Sequence, residues 1–264
     1  MAADDDAPAQ DTPATATSGA EMQGSDAGED KLATDAELRE IKEHSRRKTL
    51  GIRAASATVL LGLAVAIYYF LGDRGLDLLV GAVAALCFLE LIFLIIKITD
   101  NVPYRLAAIL AGACYIGLGA LILIAFDIQY FYMTIAVVVL ADTFAYVFGT
   151  LIGGPRILPR VSPNKTWAGL LGGMFGGFLA LTPLIYLSSR IMGVLDMQAL
   201  IVAAIAGPVL AAVALAGDLF ESWLKRKAGV KDSSRLIPGH GGFFDRFDGV
   251  IPVAIVIGVI TSLA

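Results

Sequence analysis

Two cysteines and two histidines are all that these 264 residues contain. Cys87 and Cys114 lie inside apolar runs and read as small core hydrophobes, not as a redox pair or a disulfide framework. His44 and His240 leave no multi-histidine zinc site to assemble. Charge is scarce as well, at 17% of residues, where an average soluble domain carries about 25%. There is no G-x-x-x-x-G-K-[S/T] loop and no dinucleotide fingerprint, so a nucleotide site here is of a non-standard kind. Apolar residues, by contrast, make up 57% of the chain, and mean hydropathy is +0.74. That balance argues against a soluble globular enzyme, a disordered protein or a disulfide-stapled one, and for a membrane protein.

The charge that is present is unevenly placed. Residues 1–43 hold 12 acids and 3 bases, a net −9, whereas residues 44–264 hold 12 acids and 17 bases, a net +5. The head is rich in Ala, Thr, Ser, Gly and Pro and has no apolar stretch to bury, so residues 1–45 are expected to form a disordered acidic cytoplasmic tail. Its acids and missing apolar region are unlike a secretory signal. Residues 46–264 are then expected to form the transmembrane domain.

A span needs about 20 apolar residues to cross a hydrocarbon core of about 30 Å. Seven stretches qualify: 53–71, 76–96, 104–126, 129–152, 167–188, 197–220 and 249–264. Period-two alternation is absent, so the expectation is an all-α polytopic membrane protein of about seven transmembrane helices. With the N-terminus cytoplasmic, nearly all loop bases fall on one side: Arg46, Arg47, Lys48 and Arg53, then Lys97 and Arg105, then Arg156, Arg160 and Lys165, then Lys225 to Arg246. Only Arg74 and Arg190 fall on the other. The positive-inside rule therefore selects that orientation and puts the two long polar loops, 153–166 and 221–248, on the cytoplasmic face. Gly169, Gly173 and Gly177, with Gly172 and Gly176 beside them, form a small-residue ridge suited either to a homodimer seam or to close packing within one subunit.

Ionisable residues within spans cost several kcal/mol unless they meet a partner or water. Here they are Glu90, Asp142, Asp218 and Glu221. At about 100° per residue, Asp218, Glu221, Ser222 and Lys225 share one helix face. Glu221 and Lys225 are spaced for an i,i+4 ion pair, which accounts for those two and leaves Asp218 unexplained. Next comes Pro238-Gly239-His240-Gly241-Gly242, whose glycines free backbone amides to approach phosphate oxygens, and then Asp245 and Asp248 three residues apart. Two carboxylates on one turn suit Mg²⁺ shared with substrate phosphates. Asp142 and Tyr146 lie one turn apart, and Ser162-Pro163-Asn164-Lys165-Thr166 precedes a helix start, a place for phosphate or simply for a capping hydroxyl at Ser162.

These residues carry a resemblance. Ser222-x-Leu224-Lys225-Arg226, Lys231-Asp232 and Pro238-x-His240-Gly241-Gly242-Phe243-x-Asp245-Arg246-x-Asp248 resemble the signature of phosphatidate cytidylyltransferases, also called CDP-diacylglycerol synthases. Asp142 with Ala145-Tyr146, and Ser162-Pro163-Asn164-Lys165-Thr166-Trp167, are similar to two further features of that family. The likeness covers about residues 100–264 and departs at Ala168, where members often carry Glu.

The resemblance implies transfer of the cytidylyl group of CTP to phosphatidic acid, giving CDP-diacylglycerol and pyrophosphate with Mg²⁺; the compact seven-span core, with no transit-peptide pattern, gives the expectation of a bacterial inner membrane with the site on its cytoplasmic face. The resemblance also implies Asp218 and Asp245 as metal ligands, with Asp142 and Asp248 as additional carboxylates. Lys165, Lys225, Arg226 and Arg246 are expected on phosphates, and Ser162, Thr166 and His240 as hydrogen-bonding partners, although His240 serves equally as a buttress of its glycine turn. The lipid phosphate is already ionised near neutral pH, so the chemistry asks for charge neutralisation and alignment more than for a base. The partners expected are CTP, phosphatidic acid and the bilayer, with no nucleic acid. The alternatives are a CTP-dependent polyprenol kinase and, behind it, a transporter, although no inverted repeat is visible.

Overall fold

A computed structural model describes residues 58–263, except 60, 61, 64, 192, 194, 195, 235 and 238–240. The expected tail (1–45), residues 53–57, 60, 61 and 64 of the first expected span (53–71) and His240 lie outside the described residues. Residues 65–71 are helical, and Gly72 then turns the chain at φ 63° into the first long helix.

Five long helices follow: α1 (Asp73–Ile98), α2 (Val102–Ala125), α3 (Ile128–Leu151), α4 (Trp167–Ile191) and α5 (Met197–Lys227). A four-residue helix, α6 (Phe244–Phe247), leads into α7 (Val250–Leu263). The five helices of 24 to 31 residues are each long and apolar enough to cross a membrane. At 1.5 Å per residue they are roughly 36–46 Å long against a core of about 30 Å. The protein is a mostly helical, multi-pass membrane protein. Helix α7, which answers to the expected seventh span, has only 14 residues.

Local chemistry sets the helix starts. Asn101 accepts from the Tyr104 amide with Pro103 in the first turn, and Asp196 accepts from the Ala199 amide at 2.9 Å. Arg105 closes the opposite end of the α1–α2 turn, its guanidinium donating to the Thr99 carbonyl at 3.1 and 2.8 Å.

The glycine ridge is consumed inside the subunit. On α4 a Cβ at Gly172 or Gly176 would collide with the α3 backbone at Phe144 or Leu140, and one at Gly177 would collide with the Gly207 carbonyl of α5. Those glycines let α3, α4 and α5 pack at backbone contact, so this ridge is intrachain packing. Helix α7 is threaded among the others: Ile251 fills the space beside Gly119 of α2, Gly249 lies against Ala214 of α5, and Val253 and Ala254 are wholly buried. Large apolar side chains such as Leu78, Phe93, Leu121 and Ile205 point outward, as helices solvated by lipid require.

The segment 153–166 departs from the all-α expectation. It forms an antiparallel hairpin of β1 (Arg156–Leu158) and β2 (Ser162–Thr166), with Arg156 opposite Thr166 and Leu158 opposite Ser162. Gly153 and Gly154, at φ 67° and 99°, turn the chain out of α3 into it. A two-stranded ribbon has no hydrophobic period long enough to be seen in a sequence, which is why it reads there as a loop.

Candidate active site

The polar end of α5 is the base of the site. Counting about 20 residues from the Asp196 cap brings α5 to the edge of a hydrocarbon core, so Asp218 and the polar end of α5 lie near that edge. The α6–α7 turn is brought against this face because residue 217 is glycine: a Cβ there would strike the Asp248 carbonyl and Pro252. Asp218, Glu221 and Asp248 thereby offer carboxylate oxygens that all lie within 4.8 Å of one another. Glu221 is 1% exposed, and neither of its oxygens has a hydrogen bond, although Lys225 Nζ lies 2.6 Å from Oε2. Lys225 is the cation that faces this buried carboxylate. Three carboxylate oxygen donors at this spacing fit a hard cation such as Mg²⁺.

Lys225 is shared. Its ammonium also lies 2.9 Å from Asp245 Oδ1, so one cation stands between Glu221 of α5 and Asp245 of α6. Asp245 is filled by other donors as well, the Ser233 amide at 3.2 Å and the Gly242 amide at 2.9 Å. Burial would raise its carboxyl. The Glu221 carboxyl in contact with it, the Gly242 amide and Lys225 outweigh that and hold it at about 2. Asp248 is in the opposite condition: burial, with the charges of Asp218 and Asp142 added, pushes its carboxyl up to about 8, against a weaker pull from the Gly249 amide.

The hairpin forms the rim. Lys165 of β2 makes an ion pair with Asp218, and the Arg226 Nε donates to the Val161 carbonyl at 3.2 Å. Burial alone would lower the Lys165 ammonium; Asp218 and then Asp142 reverse this and raise it, so Lys165 stays charged. Asp142, on α3, is within electrostatic reach of Lys165, Asp218 and the exposed Arg246. Ser222 donates to Asp218 at 3.3 Å.

The structure thus brings Asp142, Lys165, Asp218, Lys225, Asp245, Arg246 and Asp248 to one end of the bundle, but it distributes their tasks differently from the sequence expectation. Asp245, expected beside Asp218 as a metal ligand, has its oxygens taken by two amides and Lys225, and Glu221 stands in the carboxylate trio in its place. Thr166, expected to meet phosphate, accepts from the Gly169 amide at 3.0 Å and caps α4, the task the sequence offered to Ser162. Ser162 sits half-buried in β2. Arg226 braces the hairpin. Two acids carry more than the sequence reading gave them. Glu221 shares a helix face with Asp218 in the sequence, but the i,i+4 pair with Lys225 is enough to account for it there. Glu90 had no assigned partner, its one signal being an acid in an apolar run.

Comparison with known proteins places the chain in a family. The profile of the family described as cytidylyltransferase matches residues 36–264. The chain belongs to the cytidylyltransferase family. A Brucella abortus protein named phosphatidate cytidylyltransferase is 42% identical over 161 residues, covering 54% of this chain and 53% of that one. Proteins of the same name from Rickettsia bellii (38% over 122 residues, 46% and 53%) and Staphylococcus aureus (35% over 142 residues, 53% and 52%) are also similar. The chain thus spans about half the length of these curated relatives. The family match includes α1, and so Glu90, which the motif-based likeness from about residue 100 onward did not.

Proposed function

We propose that this protein transfers the cytidylyl group of CTP to phosphatidic acid, leaving CDP-diacylglycerol in the membrane and releasing pyrophosphate. The observation that carries the reading is the carboxylate trio of Asp218, Glu221 and Asp248, flanked by Lys165 and Lys225, where α5 leaves the hydrocarbon region. A polyanionic nucleotide from water and an anionic lipid headgroup from the bilayer can meet at that level without either substrate leaving its own phase.

The reaction joins two polyanions, so the protein must neutralise and align. Asp218, Glu221 and Asp248 would hold a divalent cation, which would supply Lewis-acid neutralisation of the CTP phosphates. Lys165, on the rim and kept protonated by Asp218 and Asp142, is the ammonium that an incoming phosphate meets, and exposed Arg246 is placed to meet another. Lys225 is committed between Glu221 and Asp245 and serves to keep those two acids side by side. No side chain is asked to remove a proton, because the attacking lipid phosphate oxygen is already ionised.

The orientation follows from the placement of bases. The ends of α1, α3 and α5 and the starts of α2, α4 and α7 share one side, and with seven spans and a cytoplasmic N-terminus that side faces the cytoplasm, where CTP is available. In a bacterium this is the inner membrane. The test is pyrophosphate release by detergent-purified protein given CTP and phosphatidic acid, with and without Mg²⁺. Release that needs all three, with CDP-diacylglycerol as product, is expected. No release from folded protein in a suitable lipid would overturn the reading, and CTP-dependent phosphorylation of a polyprenol would replace it.

A further inference from the structure

Glu90 is a buried acid that the proposed reaction does not employ. It lies in α1, about two turns before the helix end, and is 1% exposed. Burial of an unpartnered carboxylate would be strongly unfavourable. Both oxygens are instead filled by two donors each. Oε1 accepts from the Ser234 hydroxyl at 2.6 Å and the Phe243 amide at 3.0 Å. Oε2 accepts from the Ser233 hydroxyl at 2.7 Å and the Phe244 amide at 2.8 Å. Two donors come from the middle of the segment between α5 and α6 and two from its junction with α6, so one carboxylate ties these two places together. The approach is close enough that a Cβ on Gly242 would collide with the Glu90 carboxylate and the Ser233 hydroxyl. This accounts for glycine at 242 without any phosphate contact.

From Glu90 the contacts run on into the site. The Ser233 hydroxyl donates to Glu90 while the Ser233 amide donates to Asp245, and Asp245 is paired with Lys225, which is paired with Glu221. We propose that Glu90 is the positioning residue of the site: it holds Ser233 and Ser234 against Phe243 and Phe244 and, through them, sets the placement of Asp245 and Asp248 against α5. The proposal rests on the reading above that the Asp218–Glu221–Asp248 trio holds a divalent cation.

The chemistry specifies a carboxylate. All four partners are donors, and a carboxylate is the side chain that accepts at both ends and donates at neither. In Glu90→Gln one end becomes NH₂. The serine hydroxyl facing it can rotate to accept, but the backbone amide facing it cannot, so one donor is set against another. Glu90→Ala leaves all four donors without the acceptor.

The experiment uses the full chain in detergent and has two arms. Hydrogen exchange of peptides covering 241–247 reads the anchor, and binding of Mn²⁺ alone, followed by loss of the free-ion EPR signal, reads the metal site. In Glu90→Gln, exchange at Phe243 and Phe244 is expected to accelerate about tenfold or more while α3 to α5 stay protected, and Mn²⁺ binding to weaken severalfold. Unchanged exchange overturns the proposal. Faster exchange with unchanged Mn²⁺ affinity also overturns it, since Glu90 would then secure the segment without placing the ligands. Should Glu90→Ala not fold, the Ser233→Ala/Ser234→Ala pair, which removes the two hydroxyl donors and keeps the two amides, is expected to shift both readouts in the same direction by less. Failure of wild-type protein to bind Mn²⁺ strikes the metal reading itself, and the exchange arm still decides whether Glu90 holds the segment.

Discussion

Asp245 and Asp248 are three residues apart on one turn and look equivalent in the sequence, yet their surroundings make them opposites. Asp245 is held at about 2 by its contacts and amide donors, and Asp248 is pushed up to about 8 by burial beside Asp218. Asp245→Asn removes a charged acceptor from Lys225 and two amides, so it is expected to destabilise the protein by about 3 kcal/mol as well as to abolish turnover. Asp248→Asn is expected to cut turnover at least 100-fold, about 3 kcal/mol of barrier, with a melting temperature in detergent that is unchanged or higher. Equal melting losses in the two variants would show that the residues are not so divided. The pH dependence follows from Asp248. Unfolded, its carboxyl ionises near 3.8; in the metal-free fold it keeps its proton to about 8. Metal-free stability from this group therefore falls as pH rises from about 4 to about 8, and a cation, which needs the ionised form, binds more tightly over the upper part of that range. The Mg²⁺-induced rise in melting temperature is expected to grow from about pH 6 to about pH 8 in wild type and to lose that slope in Asp248→Asn. None of this division is legible from the Asp-x-x-Asp spacing, because it depends on amides and acids that arrive from other parts of the chain.

Among the elements, the long helices were legible and their packing was legible in part. Apolar runs marked α1 to α5 to within a few residues at most ends, because a span is a local property of about 20 consecutive side chains. The exception is α5, which continues from the expected 220 to Lys227 and carries the polar stripe out of the membrane. The glycine ridge announced a close approach, but which helices would fill it was decided by three-dimensional neighbours. Gly177→Ala, aimed at the Gly207 carbonyl of α5, is expected to lower stability by about 2 kcal/mol. Gly117→Ala, which meets nothing within 4 Å, is expected to be neutral or mildly stabilising. Thermal unfolding of both in the same detergent checks the pair. The hairpin of β1 and β2 belongs to this scale too. Lys165→Met removes its ion pair to Asp218 and the rim charge, and is expected to raise KM for CTP about tenfold or more, measured by steady-state pyrophosphate release.

At the scale of the whole molecule, the distribution of bases and the geometry of the site make one statement. Lys165 with its partner Asp218, and Arg226 on the Val161 carbonyl, gather at the end where α1, α3 and α5 terminate. Single cysteines test the sidedness. Arg74→Cys is expected to react with a membrane-impermeant maleimide in intact cells, and Arg160→Cys only after permeabilisation; both side chains are exposed. The reverse labelling would invert the orientation.

Composition and apolar run length were sufficient for a helical membrane protein, and the motif residues were sufficient for its family, because hydrophobicity and short-range spacing are properties of neighbours along the chain. The assignment of tasks within the site was not contained there. That Glu221 completes the carboxylate trio, that Thr166 caps a helix, and that Glu90 of α1 grips a segment more than 140 residues away all depend on which donors and acceptors burial forces together. A buried carboxylate must find its partners wherever the packing brings them, and packing is set by the whole bundle at once.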